Sequence, residues 1–222
     1  MTAKERTLKL PDGSTVSALW QKPKDAKAVL VLAHGAGAGM THKHMAATAD
    51  GLGERGVAVL RYNFPYMERS SKRPDNPPVA HVAVRAAVAD AAKLAGDLPL
   101  FAGGRSFGAR MTSQAQSAEP LAKVSGLVFF AFPLHPPGKP GTDRADHLAV
   151  VKIPMLFLQG AKDEFADLAL LKPTVSKLGK RGKLHLVDHA DHSFHVPAKT
   201  GRKDPEVLAE ILDVAREWML KR

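Results

Sequence analysis

Short unbroken apolar runs alternate along this chain with stripes of helical spacing. Ala28–Ala33 (AVLVLA) is a continuous apolar run ending in glycine-rich sequence, the pattern of a strand buried in a parallel sheet. Val57–Tyr62, Leu98–Ala102, Val124–Phe132, Ile153–Gln159 and Lys183–Val187 read as further strands. Leu8–Leu10 and Val16–Trp20 flank Pro11-Asp12-Gly13-Ser14, a strong turn sequence, and predict an antiparallel hairpin. Helices are expected from Thr41, as cap, to about Leu52 near Gly53, over Val79–Leu94, and from about Ser106 to Ser117 before Pro120. The last helix is expected over Asp204–Lys221, with Asp204 as cap and Pro205 at its first position. Polar, proline-rich Arg69–Pro78 reads as a loop. Strands alternating with helices predict a mostly parallel, doubly wound α/β sheet covered on both faces. A chain of 222 residues, 45% of them apolar, suits one domain over 1–222.

Composition narrows the function classes. No apolar run reaches membrane-spanning length, so no membrane helix is expected. The first ten residues carry Lys4, Arg6 and Lys9 with no apolar stretch behind them, so no secretory signal is expected and cytoplasm is the default compartment. Cysteine is absent, which excludes disulfides, thiolate metal sites and a Cys nucleophile. The formal charge is +10, spread along the whole chain, with its densest group at Lys172, Lys177, Lys180, Arg181 and Lys183. No aromatics interleave that group, so it reads as a solvated basic face rather than a nucleic-acid surface. The expected partner is a small molecule, with the oligomeric state left open.

In such a sheet, chemistry gathers at the carboxyl ends of the strands. The strand ending at Ala102 runs into Gly104-x-Ser106-x-Gly108. A serine between two such glycines suits a sharp strand-to-helix turn that lifts its hydroxyl clear of the sheet, which makes Ser106 the candidate nucleophile. The strand ending at Ala33 runs into His34-Gly35-Ala36-Gly37-Ala38-Gly39. A tetrahedral intermediate needs preorganised N–H donors, and Phe107 and Ala36 are the candidates. A phosphate loop is the competing reading, but neither G-x-G-x-x-G spacing nor a following Gly-Lys-Ser/Thr is present.

Asp163, just past the Ile153 strand, is the candidate acid; Glu164 and Asp167 are weaker because a helix is expected to hold them. After the Val124 strand no carboxylate follows until Asp143. The last strand runs into Asp188-His189-Ala190-Asp191-His192-Ser193-Phe194-His195, with His192 the candidate base and His189 and His195 as alternatives. The order Ser106, Asp163, His192 suits this fold. The same loop has the side-chain types of a Zn²⁺ or Mn²⁺ site, although H-E-x-x-H is missing. His42, His44, His81 and His135 are expected in loops or at the site rim.

Taken together, HGAGAGM (34–40), RYNFPY (61–66), GGRSFGAR (103–110), QGAKDEF (159–165) and ADHSF (190–194) resemble the small dienelactone-hydrolase-like branch of the α/β-hydrolases. More closely they resemble the family named after a subunit of the NSL histone-acetyltransferase complex and its bacterial relatives. The resemblance runs from about residue 28 to the C-terminus. It implies a Ser106–Asp163–His192 triad, ester or related acyl hydrolysis, and no cofactor or metal. It also implies a second reading, since members of the branch act as complex subunits: a non-catalytic interaction module. True dienelactone hydrolases use Cys, so that activity does not carry over. The segment 133–152 is short and holds Pro133, Pro136, Pro137 and Pro140, too little for a large lid. An open, shallow site is expected, walled by Tyr62, Phe64 and Met67 on one side and by His135 in the 133–147 loop on the other.

Overall fold

The computed structural model describes residues 2–222. One eight-stranded sheet takes every strand, in the order β1-β2-β4-β3-β5-β6-β7-β8. The edge hairpin is β1 (Lys4–Lys9) and β2 (Thr15–Gln21); both its pairings, β1 with β2 and β2 with β4, are antiparallel. All the rest are parallel: β3 (Ala28–Ala33), β4 (Val57–Tyr62), β5 (Leu100–Arg105), β6 (Val124–Phe130), β7 (Met155–Gly160) and β8 (Gly182–Val187). β3 and β4 are buried at every position, which is why they read as strands from composition alone.

Helices cover the two faces. α3 (Pro77–Ala95) and α4 (Phe107–Ala118) pack on one, with α5 (Leu168–Ser176). α1 (Lys43–Glu54) and α6 (Asp204–Leu220) pack together on the other. On α3 the buried stripe is Ala80, Ala83, Val84, Ala87, Val88, Ala91 and Ala95; its small side chains let the helix lie close to the sheet. On α6 the stripe is Val207, Ile211, Leu212, Ala215, Trp218 and Met219. A single turn, α2 (Pro65–Glu68), and a 3₁₀ segment, Asp143–Val150, fall where only loop was expected. That 3₁₀ segment is the sole helix between β6 and β7, so no lid of any size roofs the sheet there.

Element ends depart from expectation where caps compete. His42, not Thr41, caps α1, its ring nitrogen accepting the His44 N–H. Lys203 caps α6, so Asp204 is the first helical residue and its carboxylate takes His195 and the Val196 N–H instead. α5 begins after Asp167, so Glu164 lies in the connection and Asp167 is itself the cap. In the basic group, Arg181 is spent on the main-chain carbonyls of Ala149 and Val151.

The sheet reverses its winding between β3 and β5, and their exits are adjacent, the position where such sheets hold their sites. They approach so closely that a Cβ on Gly104 or Gly108 would sit 2.5 Å from the Ala33 carbonyl oxygen. Gly108→Ala is therefore expected to destabilise the fold by roughly 3 kcal/mol through overpacking. Chemical denaturation of the two proteins measures it, and an unchanged midpoint would contradict the packing.

Candidate active site

Ser106 sits between β5 and α4 with φ 50° and ψ −114°, the left-handed side of backbone space that L-residues avoid. The strain is held by the Ser106 N–H bond to the Phe130 carbonyl at 3.0 Å and by the glycine contacts around it. The turn leaves Ser106 half-buried, with its Oγ 2.9 Å from His192 Nε2. His192 Nδ1 lies 2.7 Å from Asp163 Oδ2. The tautomer with its proton on Nδ1 donates to Asp163 and leaves Nε2 to accept from Ser106 Oγ. Of the acids and bases weighed from sequence, the structure brings together Ser106, Asp163 and His192.

Asp163 is buried, and each of its oxygens is engaged. Oδ2 also accepts from Gln159 Nε2 at 2.5 Å, and Oδ1 accepts the Phe165 N–H at 2.8 Å. Gln159, itself fully buried, accepts the Phe132 N–H at 2.9 Å. Gln159 thus ties the end of β6 to the acid. The Lys162 N–H bonds the Ala190 carbonyl at 2.8 Å, joining the acid loop to the histidine loop. The Phe165 ring lies 4.3 Å from the His192 ring. Arg105 donates to the His192 carbonyl at 2.9 Å and stands over the Phe194 ring.

Other residues of the histidine loop have separate partners. His195 pairs with Asp204 at 2.9 Å. Asp191 Oδ1 accepts the Ser193 and His195 N–H groups at 2.7 and 2.9 Å, closing a tight turn that presents His192. His189 lies at φ 61° in the turn that leaves β8. The imidazoles are thus divided among partners instead of converging on one point.

Gly35 brings the loop after β3 against the elbow: a Cβ there would lie 3.7 Å from the Ser106 Cβ. Phe107 is the first residue of α4, so its N–H lacks an intrahelical acceptor. Among the described residues neither Phe107 N–H nor Ala36 N–H has a protein acceptor, and Ala36 is exposed. The loop itself is pinned from beneath. His34 is fully buried; its Nδ1 lies 2.7 Å from the Gly35 carbonyl and its Nε2 accepts the Phe64 N–H at 3.1 Å. The Tyr66 hydroxyl accepts the Gly37 N–H, Asn63 Oδ1 accepts the Met40 N–H, and Arg61 donates to the Met40 carbonyl.

This pinning corrects the expected substrate walls. Tyr62 and Phe64 are fully buried in the core and form no exposed wall; Phe64 packs edge-on against His34 and Phe107. The run 61–66 holds the loop after β3 in place through Arg61, Asn63, the Phe64 N–H and Tyr66. Met67 alone of this group is half-buried, next to Gly39. His135 is also buried: its Nε2 accepts the Asp167 N–H at 2.9 Å and its Nδ1 lies 2.8 Å from the Pro136 carbonyl, bracing the acid loop. Gln159 and Arg105 adjoin this arrangement, bonded to Asp163 and to the His192 carbonyl, and the sequence alone assigned neither of them a place in it. Their only signal was polar character at a strand end.

Comparison with known proteins agrees with this architecture. Residues 26–220 match the alpha/beta hydrolase domain, and the chain belongs to that family. It resembles a dienelactone hydrolase from Anabaena variabilis with 18% identity and a TM-score of 0.79, covering 99% of this chain and 97% of the other. An α/β serine hydrolase without lid from Xanthomonas campestris is 23% identical with a TM-score of 0.74, covering 98% and 95%. A serine hydrolase homologue from Coxiella burnetii is 21% identical with a TM-score of 0.75, covering 100% and 97%.

Burial pushes His34 and His147 down to about 4. The unfolded chain protonates such histidines below about pH 6.5, whereas the folded chain keeps them neutral. Their contribution is present above that pH and is lost as the solution is acidified toward about pH 4. For His34, going from about pH 7 to about pH 5 costs roughly 2 kcal/mol. Thermal unfolding across that range is expected to show a falling Tm, with a shallower fall in His34→Gln. A Tm independent of pH there would contradict the neutral, buried imidazole.

Proposed function

We propose that this chain is a serine hydrolase that cleaves carboxylic esters, or related acyl bonds, through an acyl-enzyme intermediate on Ser106. The observation that carries the reading is the pair of hydrogen bonds linking Ser106 to His192 and His192 to Asp163, at 2.9 and 2.7 Å. Membership of the alpha/beta hydrolase family supports the hydrolytic class. The strained backbone at Ser106 supports the role of nucleophile.

His192 Nε2 takes the hydroxyl proton as Ser106 Oγ bonds to the carbonyl carbon, and the carbonyl π electrons move onto oxygen. Asp163 holds the imidazole in register and stabilises the imidazolium. The Phe107 and Ala36 N–H groups accommodate the oxyanion, and each such donor is typically worth about 10²–10³ in rate. As the tetrahedral intermediate collapses, the bond to the leaving oxygen breaks and His192 gives that oxygen its proton. Water then attacks the acyl-enzyme, passes its proton to His192, and Ser106 recovers it as the acid departs. This sequence needs no cofactor or metal. Partial exposure of Ser106 and the short segment between β6 and β7 suit small, accessible esters.

Chromogenic short-chain esters test the proposal. Ser106→Ala is expected to lower turnover by roughly 10⁴–10⁶ and Asp163→Asn by about 10⁴, with EDTA without effect. Full activity in Ser106→Ala would sink it. Turnover abolished by EDTA would assign the chemistry to a metal instead.

A further inference from the structure

A cavity of about 430 Å³ opens on the α1/α6 side of the sheet, behind the histidine loop. Neither Ser106 nor His192 lines it. Its apolar wall is made by Ala47, Phe130, Phe194, Leu208 and Ile211, and Arg105 is the charged group set among them. Arg105 projects to this face because Phe101, two pleats earlier on β5, packs in the same α1/α6 core.

The guanidinium has five donors, and one of them, at 2.9 Å, meets the His192 carbonyl. Among the described residues no carboxylate forms an ion pair with it. Asp163 and Asp191 stand close enough to act on its charge, but their hydrogen bonds go to other groups. Asp163 serves His192, Gln159 and Phe165. Asp191 caps its own loop. Asp204, at the cavity rim, takes His195 and the Val196 N–H. Lys43 lines the rim as well. Burial first, then Arg105, His42 and Lys43, hold the His44 imidazole below its usual range, with Asp204 acting against them. Four of the five guanidinium donors have no protein acceptor among the described residues, and a carboxylate matches its planar fork in two parallel hydrogen bonds.

We propose that this cavity is a second ligand site, which takes a small monocarboxylate with an apolar body. The carboxylate pairs with Arg105, and the tail lies along Phe130, Phe194, Leu208 and Ile211. An uncharged amphiphile would leave the guanidinium unpaired, and a cationic one would be repelled by Arg105 and Lys43.

Calorimetric titration of octanoate into Ser106→Ala tests this, and it reads binding whether or not the chain hydrolyses esters. Octanoate is expected to bind roughly tenfold or more tightly than 1-octanol or octylamine. Adding Arg105→Met is expected to weaken octanoate by a similar factor and to leave 1-octanol unchanged. Leu208→Trp, which fills the cavity from α6, is expected to abolish binding, and it places the ligand here and not beside Ser106. Equal affinity for octanoate and 1-octanol, or octanoate binding that survives Leu208→Trp, would overturn the proposal. If Arg105→Met does not fold, the ligand series and Leu208→Trp decide alone.

Discussion

Where β5 leaves the sheet, its backbone lies against the end of β3, so that Gly104 and Gly108 both meet the Ala33 carbonyl at a distance no Cβ tolerates. That approach fixes the rest. It forces Ser106 into a left-handed turn between strand and helix and lifts its side chain off the sheet. It starts α4 immediately after Ser106, so the first N–H of the helix, on Phe107, has no intrahelical acceptor. It also places the loop after β3 next to the elbow, because β3 and β5 are paired neighbours. One backbone contact thus sets the Ser106 hydroxyl and the loop after β3 side by side, the arrangement on which the proposed mechanism rests.

Those side chains are supported by buried polar groups that each join two loops. His34 joins the donor loop to the turn after β4. Gln159 joins the end of β6 to Asp163. His135 joins the 3₁₀-bearing segment to the acid loop. Inside a low-dielectric interior such bonds are strong when satisfied and costly when broken, so they hold loops that have little apolar packing of their own. Arg105 is the exception in this set. It joins β5 to the histidine loop through one hydrogen bond, and among the described residues its other donors, beside a cavity, have no acceptor.

The sheet was legible because β3 and β4 are buried on both faces and read as apolar runs, and because glycines flanking Ser106 have few other uses at a strand end. The positions of Asp163 and His192 were legible only as members of the polar loops after β7 and β8, where His189 and His195 were equally available, and the fold selects the pair that meets Ser106. Helix starts were less so: Thr41 and Asp204 have good capping side chains, yet His42 and Lys203 occupy the cap positions. The walls were misjudged for a physical reason. Tyr62 ends β4 and Phe64 lies just past it, where aromatics can face either ligand or core, and only the packing of the loop after β3 against them decides for the core. Gln159 and Arg105 were invisible because their partners, the Phe132 N–H and the His192 carbonyl, are distant in sequence.

The central claim is that the elbow, His192 and Asp163 together make Ser106 a nucleophile rather than a surface hydroxyl. Intact-mass analysis after incubation with a fluorophosphonate measures this directly, since that reagent phosphonylates an activated serine whatever the natural substrate. The account predicts a single covalent adduct, mapped by peptide sequencing to Ser106 and lost in His192→Ala. An unmodified chain, or an adduct on a different residue, would contradict it.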